Sequence, residues 1–434
     1  MYAAFVTTVV VGGMYFLLSH RRFDAYSLAF LSGCIYFMPG LFGAVHDPAS
    51  EVPIPIEPGT YLVMTVILAV IAAGGWWFGT GAEHISTGAE VTDRQGVYIA
   101  LFMAFGSLVI ALYFDGNVYF SAEKQDVLNG MSRWYRLYCV ASALAAVMAF
   151  SHRQWTPFWL AGGLLLFNVY VGFRSTSAIT VLAVFLIHFH RQGPRRFLRD
   201  NRRAVVIAGA MAGFFFVYKA LYKIIKLGEY EVVNERVIDP QFYLSTVMDS
   251  EPFVTQCILN EVIRTDFQTD GGYILTGIVA QTTFFGNELG IQVTSFNDLF
   301  QPVLFGDIEF GLACNIWAEM LAAGGWPLLC CFLFAFVLTL RLLSRWLHAA
   351  HVSSQACVAL SAAYLAFYIH RTDVCFQLTL QKRLIACWFL IAIASEVLRV
   401  LSGRRRWAPR PAAARVRPVH WDDIRERDTE AVRL

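Results

Sequence analysis

Charge is what this chain has least of. Asp, Glu, Lys and Arg make up 15% of its 434 residues against 57% hydrophobic ones, and the composition shows no long disordered middle. A composition this apolar points away from a water-soluble domain and towards a polytopic membrane protein. The nine Cys show no CxxC or Cys/His ligand spacing, and Cys330 and Cys331 lie inside an apolar run, so they read as helix-packing residues. His348 and His351 have no neighbouring carboxylates, which leaves a metal site without support. The net charge is only +2, and its basic excess sits in short loops and the tail. Topology and lipid headgroups account for those residues, so nucleic acid is excluded as a partner and membrane lipid is expected. The first apolar run also lacks a basic leader and a small-residue cleavage site, with its positive flank behind it. It reads as a retained helix with its N-terminus outside.

Apolar stretches near the length that crosses about 30 Å of hydrocarbon recur throughout, and helices satisfy their own backbone groups there. The expected fold is all-α, a polytopic bundle of about eleven transmembrane helices with one large external loop. The spans run over Tyr2–Leu18, Ala25–Val45, Thr60–Gly79, Val97–Phe114, Tyr135–Phe150, Trp155–Phe173, Ser177–His190, Ala204–Tyr222, Ile316–Leu340, Gln355–Ile369 and Leu384–Leu401. Four regions follow: eight helices in 1–222, a periplasmic loop in 223–311, three helices in 312–402 and a basic tail in 403–434.

Orientation follows from Lys and Arg, which resist translocation. Arg21 and Arg22, Arg153, the run from Arg191 to Arg203, Arg341 and Arg345, and Arg404–Arg406 fall on one side, which is therefore cytoplasmic. The opposite loops include 46–58, with Asp47, Glu51 and Glu57 but no Lys or Arg, and the long segment from Lys223 to Gly311. That long segment is external.

Within it, Ser250 can cap a helix running to about Asp266. Val254, Ile258, Leu259, Val262 and Ile263 fall on one face of that helix, and Gln256, Asn260, Glu261 and Arg264 on the other. Such an amphipathic helix either lies on the bilayer surface or roofs a cavity. Phe284, Phe285, Phe300, Phe305 and Phe310 are interleaved with amides and carboxylates beyond it. That mixture suits sugar rings, and it equally suits a membrane-interface belt.

Arg174 stands at an external turn, in Gly172-Phe173-Arg174-Ser175-Thr176-Ser177, directly before a helix start. Unpaired N–H groups, the helix dipole and three hydroxyls beside an Arg form a phosphate or pyrophosphate seat. The plainer alternative is an Arg that snorkels to headgroups. Glu319, with Asn315 one turn before it, projects from the start of an apolar helix, where a carboxylate needs a partner or a function.

Glu251-Pro252-Phe253, Ile258-Leu259-Asn260-Glu261-Val262-Ile263, Gly271-Gly272-Tyr273, Asn315-Ile316-Trp317-Ala318-Glu319, Gly324-Gly325 and the Arg174-Ser175 turn together resemble the oligosaccharide repeat-unit polymerases of the O-antigen polymerase (Wzy) type. The resemblance covers roughly two thirds of the chain. Some members carry an Arg followed eleven residues later by Gly in two external loops, whereas Arg174 and Arg264 here lead to Phe185 and Leu275.

The resemblance implies a glycosyl transfer at the outer face of a bacterial inner membrane, from an undecaprenyl-pyrophosphate-linked glycan to a new lipid-linked repeat unit. A chain-length regulator is the implied protein partner. Arg174 and Arg264 would stabilise the leaving pyrophosphate, with Lys223 and Arg236 in reserve and Ser175, Asn260 and Asn315 as further substrate contacts. Glu319 or Glu261 would take the acceptor proton or orient an arginine. No Asp-x-Asp motif stands in the chain, so the expected reaction uses no metal and no cofactor. A flippase of lipid-linked sugars and the related lipopolysaccharide ligase are the competing readings. A transporter usually gathers polar residues near mid-membrane on broken helices, whereas here they collect at one face.

Overall fold

Uninterrupted Leu, Ile, Val, Ala and Phe leave the backbone no partner but itself, and the chain is accordingly almost all helix. The computed structural model describes residues 1–18, 23–48, 52–78, 94–121, 130–192, 237–248, 250–283, 293–308, 311–349 and 352–402, with isolated positions between them. Helices α1 (Tyr2–Leu18), α2 (Ala25–Tyr36), α4 (Pro58–Phe78), α5 (Arg94–Asp115), α6 (Arg133–Ser151), α7 (Trp155–Val171) and α8 (Ser175–Gln192) form the first part of the bundle. The short α3 (Pro39–Phe42) and the strands β1 (Ala44–His46) and β2 (Pro53–Pro55) connect α2 to α4. Helices α9 (Pro240–Met248), α10 (Glu251–Arg264), α11 (Gly272–Thr282) and α12 (Phe296–Leu304) follow, and the part of the molecule they form is called here the loop end. Helices α13 (Ile316–Ala349), α14 (Val352–Phe367) and α15 (Val374–Leu401) complete the chain.

Five described helices are long and apolar enough to cross a membrane: α4, α5, α6, α13 and α15. Helices α1, α2, α7 and α8 are apolar but shorter. The protein is therefore a helical membrane protein. The span expected over Ala204–Tyr222 lies largely outside the described residues.

Helix α14 is central and packs against α2, α6, α8, α13 and α15. Its buried face carries Ala356, Ala359, Ala362, Ala363 and Ala366. Small side chains let neighbouring backbones approach closely, which is how helices gain contact where lipid removes the hydrophobic drive.

Two expected boundaries shift for identifiable reasons. The span expected over Ala25–Val45 ends at Tyr36, because Pro39 starts a new turn and the chain then enters the antiparallel pair with Val45 opposite Ile54. The last helix begins at Val374, ten residues before the expected Leu384, because the Asp373 carboxylate caps it by accepting from Phe376 N–H at 2.6 Å. The charges of Lys382 and Arg383 lie inside that helix.

Helix α13 is broken at Gly324 and Gly325, and Gly325 has φ 63° with ψ −156°, a conformation that only glycine adopts without strain. The break frees the Ala322 carbonyl, which accepts from Thr269 N–H at 2.8 Å. The link between α10 and α11 docks there. A Cβ on Gly271 would stand 2.9 Å from the Ala323 carbonyl oxygen, so the approach requires glycine.

Candidate active site

Helix α10 carries three of the nine expected site residues, Asn260, Glu261 and Arg264, and both of its faces are largely buried. Ser250 holds the N-cap backbone position without a side-chain capping bond, and Glu251 and Pro252 open the helix. On the face expected to be polar, Gln256, Asn260 and Glu261 are buried and Arg264 is exposed. The helix is wedged among α13, α2, α4 and β1, so it neither floats on a bilayer surface nor turns a polar face to open water.

Each expected residue of α10 already has a structural partner. Asn260 Oδ1 accepts from Glu57 N–H at 2.9 Å and from Thr60 Oγ1 at 3.0 Å, while its Nδ2 donates to the Pro55 carbonyl at 3.2 Å. This ties α10 to the β2–α4 junction. Arg264 Nε donates to Glu261 Oε1 at 2.9 Å and Nη2 donates to Oε2 at 2.6 Å. Hydrogen bonding to Glu261 and its negative charge hold the Arg264 guanidinium above its ordinary pKa. Asn315 caps α13: its Oδ1 accepts from Trp317 and Ala318 N–H at 3.0 and 3.2 Å, and its Nδ2 donates to the Thr255 carbonyl at 2.8 Å.

Glu319 is fully buried in the segment of α13 before the break. Its Oε2 accepts from Val374 N–H at 2.9 Å and its Oε1 accepts from the Tyr273 hydroxyl at 3.2 Å. Asp373 stands close enough for the two carboxylates to feel each other, and its Oδ2 accepts from Ser295 Oγ at 2.8 Å. Four elements, α11, α12, α13 and the start of α15, thus meet in one acidic network. Beside it, Arg371 pairs with Glu251 and stacks 4.9 Å from the Tyr368 ring centroid. Trp317 Nε1–H donates to His370 Nδ1 at 3.0 Å, and Tyr36 stacks on the same imidazole at 5.2 Å.

Arg174 lies elsewhere on the bundle. It is half-buried, and its carbonyl accepts from Ala178 N–H at 2.9 Å, so it occupies the residue before α8 as expected. Ser175 opens the helix and Thr176 is buried. Helix α8 packs on α6, α7 and α14, whereas α10 packs on α13, α2 and β1. Arg174 and Arg264 therefore belong to different parts of the bundle. Lys223, Arg236, Phe284, Phe285 and Phe310 lie outside the described residues. Phe300 and Phe305 are buried and ring-to-ring at 6.0 Å, which makes them core residues and not an open sugar platform.

Two cations missing from the sequence reading stand near Thr176. Arg136 in the first turn of α6 and Arg383 on α15 are close enough to repel each other, and Cys139 and Tyr364 lie within reach of Arg383. Thr176 lies beside both Cys139 and Tyr364. The described ion pairs are Arg264–Glu261, Arg371–Glu251 and Arg399–Glu396, so neither Arg136 nor Arg383 has a carboxylate partner among the described residues. Asn168 joins this cluster through Cys139 Sγ at 3.2 Å, and its buried Nδ2 has no hydrogen-bond partner among the described residues. The signal was available in sequence: Arg133 and Arg136 precede an apolar run at an end expected to be external, where basic residues are disfavoured, and His370-Arg371-Thr372-Asp373 breaks an otherwise apolar stretch.

Among the described residues, no three His, Cys, Asp or Glu side chains stand close enough together to hold a metal ion. Compared with protein-family models, curated proteins and solved structures, the chain finds no match.

Proposed function

We propose that the chain is a polymerase of lipid-linked oligosaccharide repeat units, transferring a growing glycan from undecaprenyl pyrophosphate to a new lipid-linked unit at the outer face of a bacterial inner membrane. In this reading eleven spans place the N-terminus outside, the tail in the cytoplasm and the loop end in the periplasm. A chain-length regulator is the expected partner.

The observation that carries the reading is that Arg383, half-buried on a membrane-spanning helix, lies within electrostatic reach of the exposed Arg136, and neither has a carboxylate partner among the described residues. A sheltered guanidinium facing a second cation is costly unless an anion joins them, and a diphosphate bears the charge and the oxygen pairs that suit two planar forks. The side-chain N–H groups of Asn168 and the start of α8 at Arg174 add donors to the same region. Arg264, already paired with Glu261, is less suited to the role.

The chemistry follows from that charge. As the bond from the anomeric carbon to the diphosphate breaks, its electron pair stays with the diphosphate, and fixed cations stabilise the developing charge. The acceptor hydroxyl loses its proton to a base, for which the Glu319 network is the candidate.

Deleting the gene and resolving the lipid-linked surface glycan on a gel tests the reading. Single repeat units in place of long chains are the expected result. Long chains held on the lipid carrier and never passed on would mark a ligase, and repeat units confined to the cytoplasmic side would mark a transporter.

A further inference from the structure

Glu319 has no exposed surface, and both of its oxygens are occupied, by Tyr273 Oη and by Val374 N–H. A base sealed in this way reaches a substrate only through a neighbour. The neighbour in line is Tyr273, which is half-buried on α11 and directs its O–H at Glu319 Oε1, 3.2 Å away. The Tyr273 hydroxyl is the donor in that bond, which leaves its oxygen able to accept. Thr269 lies beside that phenol, and its buried Oγ1 has no hydrogen-bond partner among the described residues. Two adjacent hydroxyls without full satisfaction fit one further hydroxyl between them.

The alternative route through Ser295 and Asp373 is closed. Ser295 Oγ already accepts from Asn297 N–H as the cap of α12 while donating to Asp373, and Asp373 Oδ1 caps α15. Both groups are committed to helix ends.

The geometry points to Tyr273 as the residue that takes the acceptor proton, with Glu319 as the buried group that receives the phenol proton in turn. This assignment rests on the polymerase reading. The acceptor oxygen attacks the anomeric carbon and forms the new glycosidic bond. Its proton passes to Tyr273 Oη as the Tyr273 proton passes to Glu319 Oε1, and the diphosphate departs with the electron pair of the broken bond. Glu319 ends neutral, the form a buried carboxyl favours, and returns the proton through Tyr273 to water after product release. The phenol itself stays neutral throughout, in keeping with burial and the Glu319 charge, which both push its pKa up.

The test uses full-length protein in proteoliposomes, supplied with lipid-linked repeat units extracted from a strain lacking this gene. Tyr273→Phe keeps the ring and removes only the relay oxygen. It is expected to lower kcat by about 10²–10⁴-fold, the usual worth of general-base catalysis, with KM close to wild type. Glu319→Gln is expected to lower kcat similarly, and the double variant to be no worse than the weaker single variant, because the two act as one unit. Wild-type kcat in Tyr273→Phe overturns the relay, as does a double variant whose loss is the product of the two single losses. Should Glu319→Gln fail to fold, the Tyr273→Phe result alone still decides. Absence of polymer with the wild-type protein itself would sink the polymerase reading and the relay together, an outcome distinct from loss in the variants alone.

Discussion

Arg371 and Glu251, 120 residues apart in the chain, form an ion pair that joins the turn between α14 and α15 to the first turn of α10. Both side chains are largely sheltered, and the Tyr368 ring backs the guanidinium. The pair ties the loop end to the bundle at that turn.

Breaking that pair leaves one sheltered charge alone. Arg371→Met and Glu251→Gln are each expected to destabilise the protein, with a coupling energy of about 1–3 kcal/mol in a double-mutant cycle of thermal unfolding in detergent. A coupling near zero would show that the turn is held by the aromatic stack and not by charge.

Arg383 should behave in the opposite way. Arg383→Gln removes a cation that repels Arg136, so thermal stability is expected to hold or rise while chain extension is lost. Arg174→Ala is expected to abolish extension at unchanged abundance, with Arg174→Lys recovering only part of it, since Lys keeps the charge without the planar fork. Normal polymer lengths in both Arg383→Gln and Arg174→Ala, at matched expression, would remove these residues from anion binding.

His370 supplies a pH dependence with a defined sign. Burial lowers its pKa from 6.5 to about 3, so the folded protein keeps it neutral while the unfolded chain takes up a proton below 6.5. Its contribution to stability is therefore present above the unfolded pKa and lost as pH falls, at about 1.4 kcal/mol per pH unit over the window between the two values. His370→Gln should flatten the slope of the thermal midpoint against pH below 6.5. An unchanged slope would assign the acid sensitivity to other groups.

Topology is open to direct labelling. Tags after Glu57 and near Asp270 are expected to be accessible from outside the cell, and tags near Arg196 and at the C-terminus are not. A cytoplasmic Asp270 would invert the orientation and move the candidate site to the wrong face of the membrane for a periplasmic transfer.

Much of the helical plan was legible because hydrophobic length is a local property. The starts of α1, α7 and α13 agree with the expected spans to the residue, and Ser250 was read correctly as the position before α10. Boundaries set by single polar residues were less legible. Asp373 extends α15 outward and Pro39 cuts α2 short, and in both cases a cap or a missing N–H outweighs the apolar run around it.

The candidate site divides along the same line. Sequence alone marked Glu319 and Arg174 as unusual, because a charge at the start of an apolar helix is conspicuous wherever it folds. It also gave α10 a polar face with Asn260, Glu261 and Arg264 as site residues; in the structure Asn260 is bonded to the β2–α4 junction and Glu261 to Arg264. Helical periodicity reports which residues share a face and is silent on what covers it.

What the sequence determined by itself is the class of the molecule, a helical membrane protein, since apolar length and charge scarcity act on each segment separately. Tertiary structure alone decided which polar groups are spent and which stay available. Glu261 and Arg264 satisfy each other, Glu319 is sealed behind Tyr273, and Arg136 meets Arg383 from helices nearly 250 residues apart in the chain. Pairing energies depend on distance and burial, and neither quantity exists until distant helices are packed together.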